Sequence, residues 1–265
     1  MSGNEDTRKI GLARVLSKLG YCSRSAATQF IRSGRVSLNG TIRRDPETPA
    51  TGKSDQIAVD GKIVEVQSKI YLMLNKPRGV VTTAADEKNR DTVYTLLNKS
   101  FTGTADHRNQ NVSWVAPVGR LDKASEGLLL LTNDSKWAAL IAAPETHLDK
   151  TYHVQVGKVV DDKVVQALVR GVKVHGVKGK DREVLRAKQA RRLRAGQKNC
   201  WLEIILDEGK NRQIRRMMEA MDVEVLRLVR VAVGPLLLGD LAKGEHRSLT
   251  AEEKRMLDVA VQRTQ

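Results

Sequence analysis

The hydrophobic pattern opens at helical spacing and then gives way to short apolar runs, and that change marks off a first unit of the chain. Leu12, Val15, Leu16 and Leu19 recur at helical spacing. Gly20 then serves as a helix C-cap. Ser23 is an N-cap for a second helix running to about Ser33, with Ala26, Ala27, Phe30 and Ile31 on its inner side. Gly34 stops it. From there the apolar runs are short: Arg35 to Leu38 before an Asn39-Gly40 hairpin turn, and Gln56 to Val59 before Asp60-Gly61. This pattern predicts a helix pair followed by small strands, closing near residue 66.

Beyond that point longer strand-like runs take over. Residues 70–74 (IYLML) read as a buried strand, ended by Asn75-Lys76-Pro77-Arg78-Gly79. Residues 101–113 are polar and read as a loop. Residues 114–118 and 128–132 read as strands around a polar turn, and Asn133-Asp134 caps a short helix to about Ala143. Residues 151–156 alternate as a strand, and 161–170 fit an amphipathic helix. The basic stretch 178–199 is weakly periodic and reads as an exposed hairpin or loop. A strand at 201–206 leads into a helix from about Arg212 to Met221. Strand-like pieces follow from Leu226 to Leu249, punctuated by Gly234-Pro235, Gly239-Asp240 and Gly244. Strands and helices mix without βαβ alternation or an internal repeat. The fold class is therefore α+β, with a mainly antiparallel mixed sheet in the larger part.

Charge narrows the class of partner. Lys and Arg number 46 against 31 Asp and Glu, a net +15. Residues 8–66 hold 11 basic and 5 acidic side chains, and residues 173–216 hold 14 and 5, so these two segments carry the whole excess. Concentration of this kind points to a polyanion. Nucleic acid leads, because each neutralised phosphate releases counterions. An anionic membrane is the rival, but no basic helix with a strong apolar face is evident. Aromatics make up only 3% of the chain, which argues for phosphate and shape contacts to folded RNA over base stacking. No apolar run approaches the roughly 20 residues that span a bilayer. The start MSGNEDTRKI lacks the apolar core of a secretory signal. Cys22 and Cys200 form no CxxC pair or zinc set, so they read as buried or idle thiols in a reducing, cytoplasmic compartment.

Two segments draw attention for their chemistry. On the helix pair, Arg14, Lys18, Arg24, Arg32 and Arg35 can share an exposed face suited to RNA phosphates; an ordinary solvated face would look the same by charge alone. In PVGRLDKASEGLLLLTND (117–134), Asp122 falls in a polar turn between apolar strands, beside Arg120 and Lys123. Neighbouring cations favour an ionised carboxylate, which can act as nucleophile or base. Taken alone, Asp122 reads more simply as a turn residue.

Whole motifs decide between these readings. The helix, the Gly, the Ser-Arg start of the next helix and the GxVxxNG ending resemble the S4 RNA-binding domain. GRLDKASEGLLLLTND resembles the active-site motif of pseudouridine synthases, in the RsuA/RluB-type branch acting on small- and large-subunit ribosomal RNA. LNKPRGVVTT (74–83), KTYHV (150–154), EGKNRQIRRM (208–217) and the tail after Leu226 resemble further motifs of that family, covering about residues 10–250. The resemblance implies an S4-like domain over 8–66 and a catalytic domain over 68–265. It assigns the catalytic role to Asp122, uracil stacking to Tyr152, and pairing with the carboxylate to Arg215. Arg212 and Arg216 become RNA contacts or substitutes for Arg215, and Arg120 fills the space left by a flipped base. Leu226 or Leu228 lines the pocket. The reaction implied needs no cofactor and no metal, and the partner implied is ribosomal RNA or a pre-ribosomal particle; a monomer is the default. The stretches 102–113 and 178–199 depart from the family pattern. The rival readings are a non-catalytic S4-type ribosome-assembly factor, a methyltransferase, for which no glycine-rich cofactor loop is found, and a membrane-surface protein.

Overall fold

The computed structural model describes residues 9–83, 90–97, 114–176 and 182–262. The polar loop expected at 101–113, and residues 178–181 of the basic stretch, lie outside the described residues.

The first unit follows the helical pattern closely. Leu12–Lys18 buries Leu12, Ala13, Val15 and Leu16. Ser23 caps Arg24–Arg32 by accepting a hydrogen bond from the Ala26 amide at 3.1 Å, and Ala27 and Ile31 are buried beneath it. The helices cover a four-stranded antiparallel sheet in the order Thr41–Arg43, Val36–Leu38, Ile57–Val59, Lys62–Ile63. Asn39 and Asp60 each adopt a left-handed conformation before a left-handed glycine, which matches the twist of a tight hairpin. A compact core of its own joins Leu12, Leu16, Ile31, Val36 and Ile57. The unit is tied to the rest of the chain through main-chain bonds from the Gln67 and Trp114 amides to the Leu19 and Gly20 carbonyls.

The remainder is built on a nine-stranded sheet, ordered Gln189–Ala195, Cys200–Leu206, Lys150–Val156, Val225–Val233, Glu126–Thr132, Tyr71–Lys76, His246–Ser248, with Ala116–Pro117 and Leu236–Leu237 as short additions. Within this sheet, among the described residues, only the pairing of Val225–Val233 with Glu126–Thr132 is parallel. The α+β, mainly antiparallel architecture is thus the one expected from the sequence.

The leucine run explains the centre of this sheet. Leu128 and Leu130 face one core with Trp137, Ile141 and Leu257, while Leu129 and Leu131 face another with Tyr94 and Val115. A strand covered on both sides has no use for alternation, and each buried leucine contributes about 1.5–3 kcal/mol. On the other half of the sheet, Val154, Val156, Leu202 and Ile204 pack beneath the helices Asp162–Arg170 and Gln213–Glu219.

Several boundaries differ from expectation for local reasons. The strand from Tyr71 runs through Lys76, because Asn75 donates to the Leu241 carbonyl at 2.7 Å and Lys76 finds three acceptors. Ala116–Pro117 is shorter than the strand expected at 114–118, and Glu126–Thr132 begins two residues before the one expected at 128–132. The basic stretch divides into one arm of a hairpin, Val172–His175 with Arg182–Leu185, and the exposed edge strand Gln189–Ala195. Among the described residues, no helix is long and apolar enough to cross a membrane. Cys22 and Cys200 are both buried and free, and burial pushes the Cys22 thiol up to about 12.

Candidate active site

Asp122 stands in the turn between Ala116–Pro117 and Glu126–Thr132, which pair antiparallel, as the apolar runs around it imply. The turn is held from beneath. Lys76 has no solvent exposure, and its ammonium donates to the carbonyls of Pro77, Asp122 and Ser125 at 3.1, 3.1 and 2.9 Å. An ammonium has three N–H donors, so all are used. Burial pulls the Lys76 amine down to about 8, with Asp122 and Glu126 partly opposing the shift. The Gly79 amide adds a bond to the Lys123 carbonyl at 2.8 Å.

Just beyond the turn, Gly127 lies at φ +101°, and a Cβ there would sit 2.2 Å from the Arg230 carbonyl oxygen. Only glycine allows the parallel strand to approach this closely. Glu126 beside it is buried and receives both Arg227, at 3.1 Å to each oxygen, and Lys243 at 2.7 Å. Burial alone would raise this carboxyl; the two cations outweigh it and hold it below the usual range.

The cation nearest the Asp122 carboxylate among the described residues is Arg212, at 3.9 Å. The chain enters the helix Gln213–Glu219 one residue later than expected, because Arg212 itself adopts a left-handed conformation at φ 46°. Such backbone strain is uncommon outside glycine and clusters at functional sites. Arg215, expected to pair with Asp122, instead donates to the carbonyls of Ala124 at 2.8 Å and Val225 at 3.3 Å. Its Nε is buried with no hydrogen-bond partner among the described residues. Burial lowers its pKa, Arg212 and Arg78 add to that, and the Asp122 carboxylate opposes it. Arg216 turns away to the His175 carbonyl and Glu183, bracing the hairpin, and does not line the cavity.

Asp122 and Arg212 line a cavity of about 560 Å³, together with Arg120, Tyr152, Ile214 and Leu228. Arg120 is exposed. Of the two leucines expected to line the pocket, Leu228 does so; Leu226 lies outside it, its carbonyl accepting from Arg78 at 3.2 Å. The sequence motifs assign no role to Lys76, Lys150 or Arg230. Arg230 was legible in principle: in VLRLVRVAV it falls in register with Leu228 and Ala232, on the buried side.

On the N-terminal unit, Arg14, Lys18, Arg24, Arg32 and Arg35 are all exposed. Arg35 is engaged, with bonds of 2.9 and 2.5 Å to Asp60 and its guanidinium 4.5 Å above the Phe30 ring.

A carboxylate in a cation-flanked turn over a cavity, joined to a separate basic helical unit, defines an RNA-directed enzyme. The sequence matches the RNA pseudouridylate synthase family over residues 70–220 and the S4 domain over residues 10–57. The chain belongs to the RNA pseudouridylate synthase family, as its motifs imply. It is 35% identical over 248 residues to ribosomal large subunit pseudouridine synthase B of Bacillus subtilis (strain 168), covering 93% of this chain and 94% of that protein. An uncharacterised RNA pseudouridine synthase of Aquifex aeolicus (strain VF5) is 34% identical over 254 residues, covering 96% and 95%. A crystal structure of a pseudouridylate synthase superposes with a TM-score of 0.62 at 28% identity, over 94% of this chain and 99% of that one.

Proposed function

We propose that this pseudouridine synthase acts on ribosomal RNA, with Asp122 as the reacting carboxylate. The observation that carries the site assignment is the placement of Asp122 on a cavity that also holds Tyr152, with Arg212 at 3.9 Å. The substrate class rests on the name of the Bacillus relative and on the two basic segments. Residues 8–66 dock the RNA and residues 68–265 perform the isomerisation, in the cytoplasm and as a monomer.

Uridine within a stacked helix hides its reacting atoms, so the nucleotide is flipped out. Arg120 fills the space it leaves. Tyr152 holds the uracil ring, with Leu228 beside it. Asp122 attacks the base or the sugar, or removes a sugar proton, with the Arg212 guanidinium 3.9 Å from its carboxylate. Arg14, Lys18, Arg24 and Arg32 bind phosphates at a distance from the chemistry.

The test is chemical mapping of pseudouridine across ribosomal RNA in cells with and without the gene, complemented by wild type or Asp122→Asn. One site is expected to vanish and to return with wild type alone. In vitro, Asp122→Asn is expected to lower turnover by about 10⁴-fold or more, the scale on which loss of a reacting side chain acts, with RNA affinity preserved. Restoration by Asp122→Asn would remove that residue from the chemistry. An unchanged modification map with intact RNA binding would favour the non-catalytic S4-type factor.

A further inference from the structure

The strand Lys150–Val156 pairs with Cys200–Leu206 in unbroken register, so Lys150, Tyr152, Val154 and Val156 share one face. Val154 and Val156 are buried, which fixes that face as the inner one. On the neighbouring strand Arg230 pairs with Tyr152 and Leu228 with Val154. Lys150, Tyr152, Leu228 and Arg230 therefore form the floor of the cavity that Asp122 also lines.

Two of these four are cations with donors to spare. Arg230 is only 7% exposed, and it uses Nε on the Leu128 carbonyl at 2.7 Å. Its terminal nitrogens make no hydrogen bond or ion pair among the described residues, and neither does the Lys150 ammonium. Lys76, nearby, is the contrast: all its donors are used on main-chain carbonyls. Burial lowers the pKa of Lys150 and the proximity of Arg230 lowers it further, while Asp149 and Asp207 oppose the shift. Those two carboxylates are engaged elsewhere, Asp149 by Lys188 at 2.8 Å and Asp207 by His147 at 3.5 Å. Two like charges held together under a cavity cost folding energy that an anion placed between them would relieve.

We propose that Lys150 and Arg230 form a subsite for the negative charge that the uracil base acquires during isomerisation. This rests on the functional reading above. When C1′–N1 breaks, its electron pair stays on the base as an N1 anion delocalised onto O2 and O4. The ring then supplies a pair from C5 to form C5–C1′; the C5 proton is lost and N1 takes one up, so atoms and charge balance. If Asp122 first adds to the ring, the charge again falls on a carbonyl oxygen. In every route the developing charge is on the base, and Asp122 has the wrong sign to stabilise it. Fixed cations facing the place where charge appears favour the transition state over neutral uridine.

The experiment measures single-turnover rates and KM on target RNA carrying uridine or 5-fluorouridine, whose electron-withdrawing fluorine stabilises the base anion. Cleavage of the original glycosidic bond is followed for wild type, Lys150→Gln, Lys150→Arg, Arg230→Gln and Arg230→Lys. Each glutamine variant is expected to lose about 100-fold in rate on uridine with KM little changed, by analogy with removal of one oxyanion donor. The loss should be smaller on 5-fluorouridine, and the charge-conserving variants should recover most of it. A thermal melt of each variant separates rate loss from unfolding; Lys150, only half-buried, keeps the test open if Arg230 variants do not fold. Equal losses on both substrates, or a change confined to KM, would overturn the subsite alone. A wild type that forms no pseudouridine would instead overturn the functional reading and the subsite with it.

Discussion

Around the Asp122 turn, Lys76 and Arg215 are bound to main-chain carbonyls, whereas Arg14, Lys18, Arg24 and Arg32 carry no side-chain partner among the described residues. On the proposed function, chemistry needs a carboxylate fixed to a fraction of an ångström, and the hydrogen bonds of Lys76 and Arg215 brace the turn that carries it. Docking needs only a positive potential along a surface, which long mobile side chains provide at no cost in desolvation. The same residue types serve both ends, and their degree of constraint distinguishes them.

That contrast can be broken most forcefully at Lys76. Lys76→Met keeps the volume but leaves the carbonyls of Pro77, Asp122 and Ser125 without their donor, and it is expected to cost about 2–4 kcal/mol in a urea titration. Turnover should fall with it, while RNA affinity holds. Stability within about 0.5 kcal/mol of wild type would show that the turn is held by other means.

A quadruple change of Arg14, Lys18, Arg24 and Arg32 to Ala should do the reverse. The dependence of log K on log salt should flatten by about 0.7–0.9 for each phosphate left without its cation, with the single-turnover rate at saturating RNA unchanged. An unaltered slope would place the docking surface elsewhere.

A smaller effect is expected where neither role applies. Glu253 accepts from the Thr250 amide at 2.8 Å while Thr250 Oγ1 accepts from the Glu253 amide at 3.1 Å, and Arg247 pairs with the same carboxylate at 2.6 Å. Loss of such a cap costs about 1 kcal/mol, so Glu253→Ala should lower the melting temperature by a few degrees and leave activity alone. Hydrogen bonding from Arg247 holds the Glu253 carboxyl down at about 2. The stability it gives is therefore complete above the ordinary glutamate range and lost as pH falls from there toward 2; a melt series in Glu253→Ala should lack that step.

The smallest change belongs to Arg35. Its ion pair with Asp60 is exposed, so Arg35→Ala should cost no more than about 1 kcal/mol. It should also flatten the salt slope less than any of the four unpaired residues. An equal effect would show that RNA displaces Asp60.

Local signals were strong enough to place most elements. Ser23, Asp134 and Asp161 cap the helices that follow them, as short polar residues before apolar periodic runs should. The C-terminal helix Ala251–Gln262 is not among the expected elements, although Thr250 and Glu253 form a capping box visible in the sequence. Asp122, Tyr152 and Leu228, singled out by motif resemblance, all line one cavity, and each lies on or beside a strand that the apolar pattern predicts.

Other matters were beyond any local pattern. The order of arginines in NRQIRR does not say which faces Asp122; the left-handed backbone at Arg212 decides that, and it depends on what the helix packs against. Lys76 and Lys150 look alike in sequence, yet one is saturated by three carbonyls and the other is left with its donors over a cavity. Period and capping act between residues a few positions apart, so the sequence by itself determined elements, class and motif. Burial and the pairing of charges arise between residues far apart in the chain, such as Lys76 with Ser125 and Arg230 with Leu128, and only the tertiary structure decided which cation each site would hold.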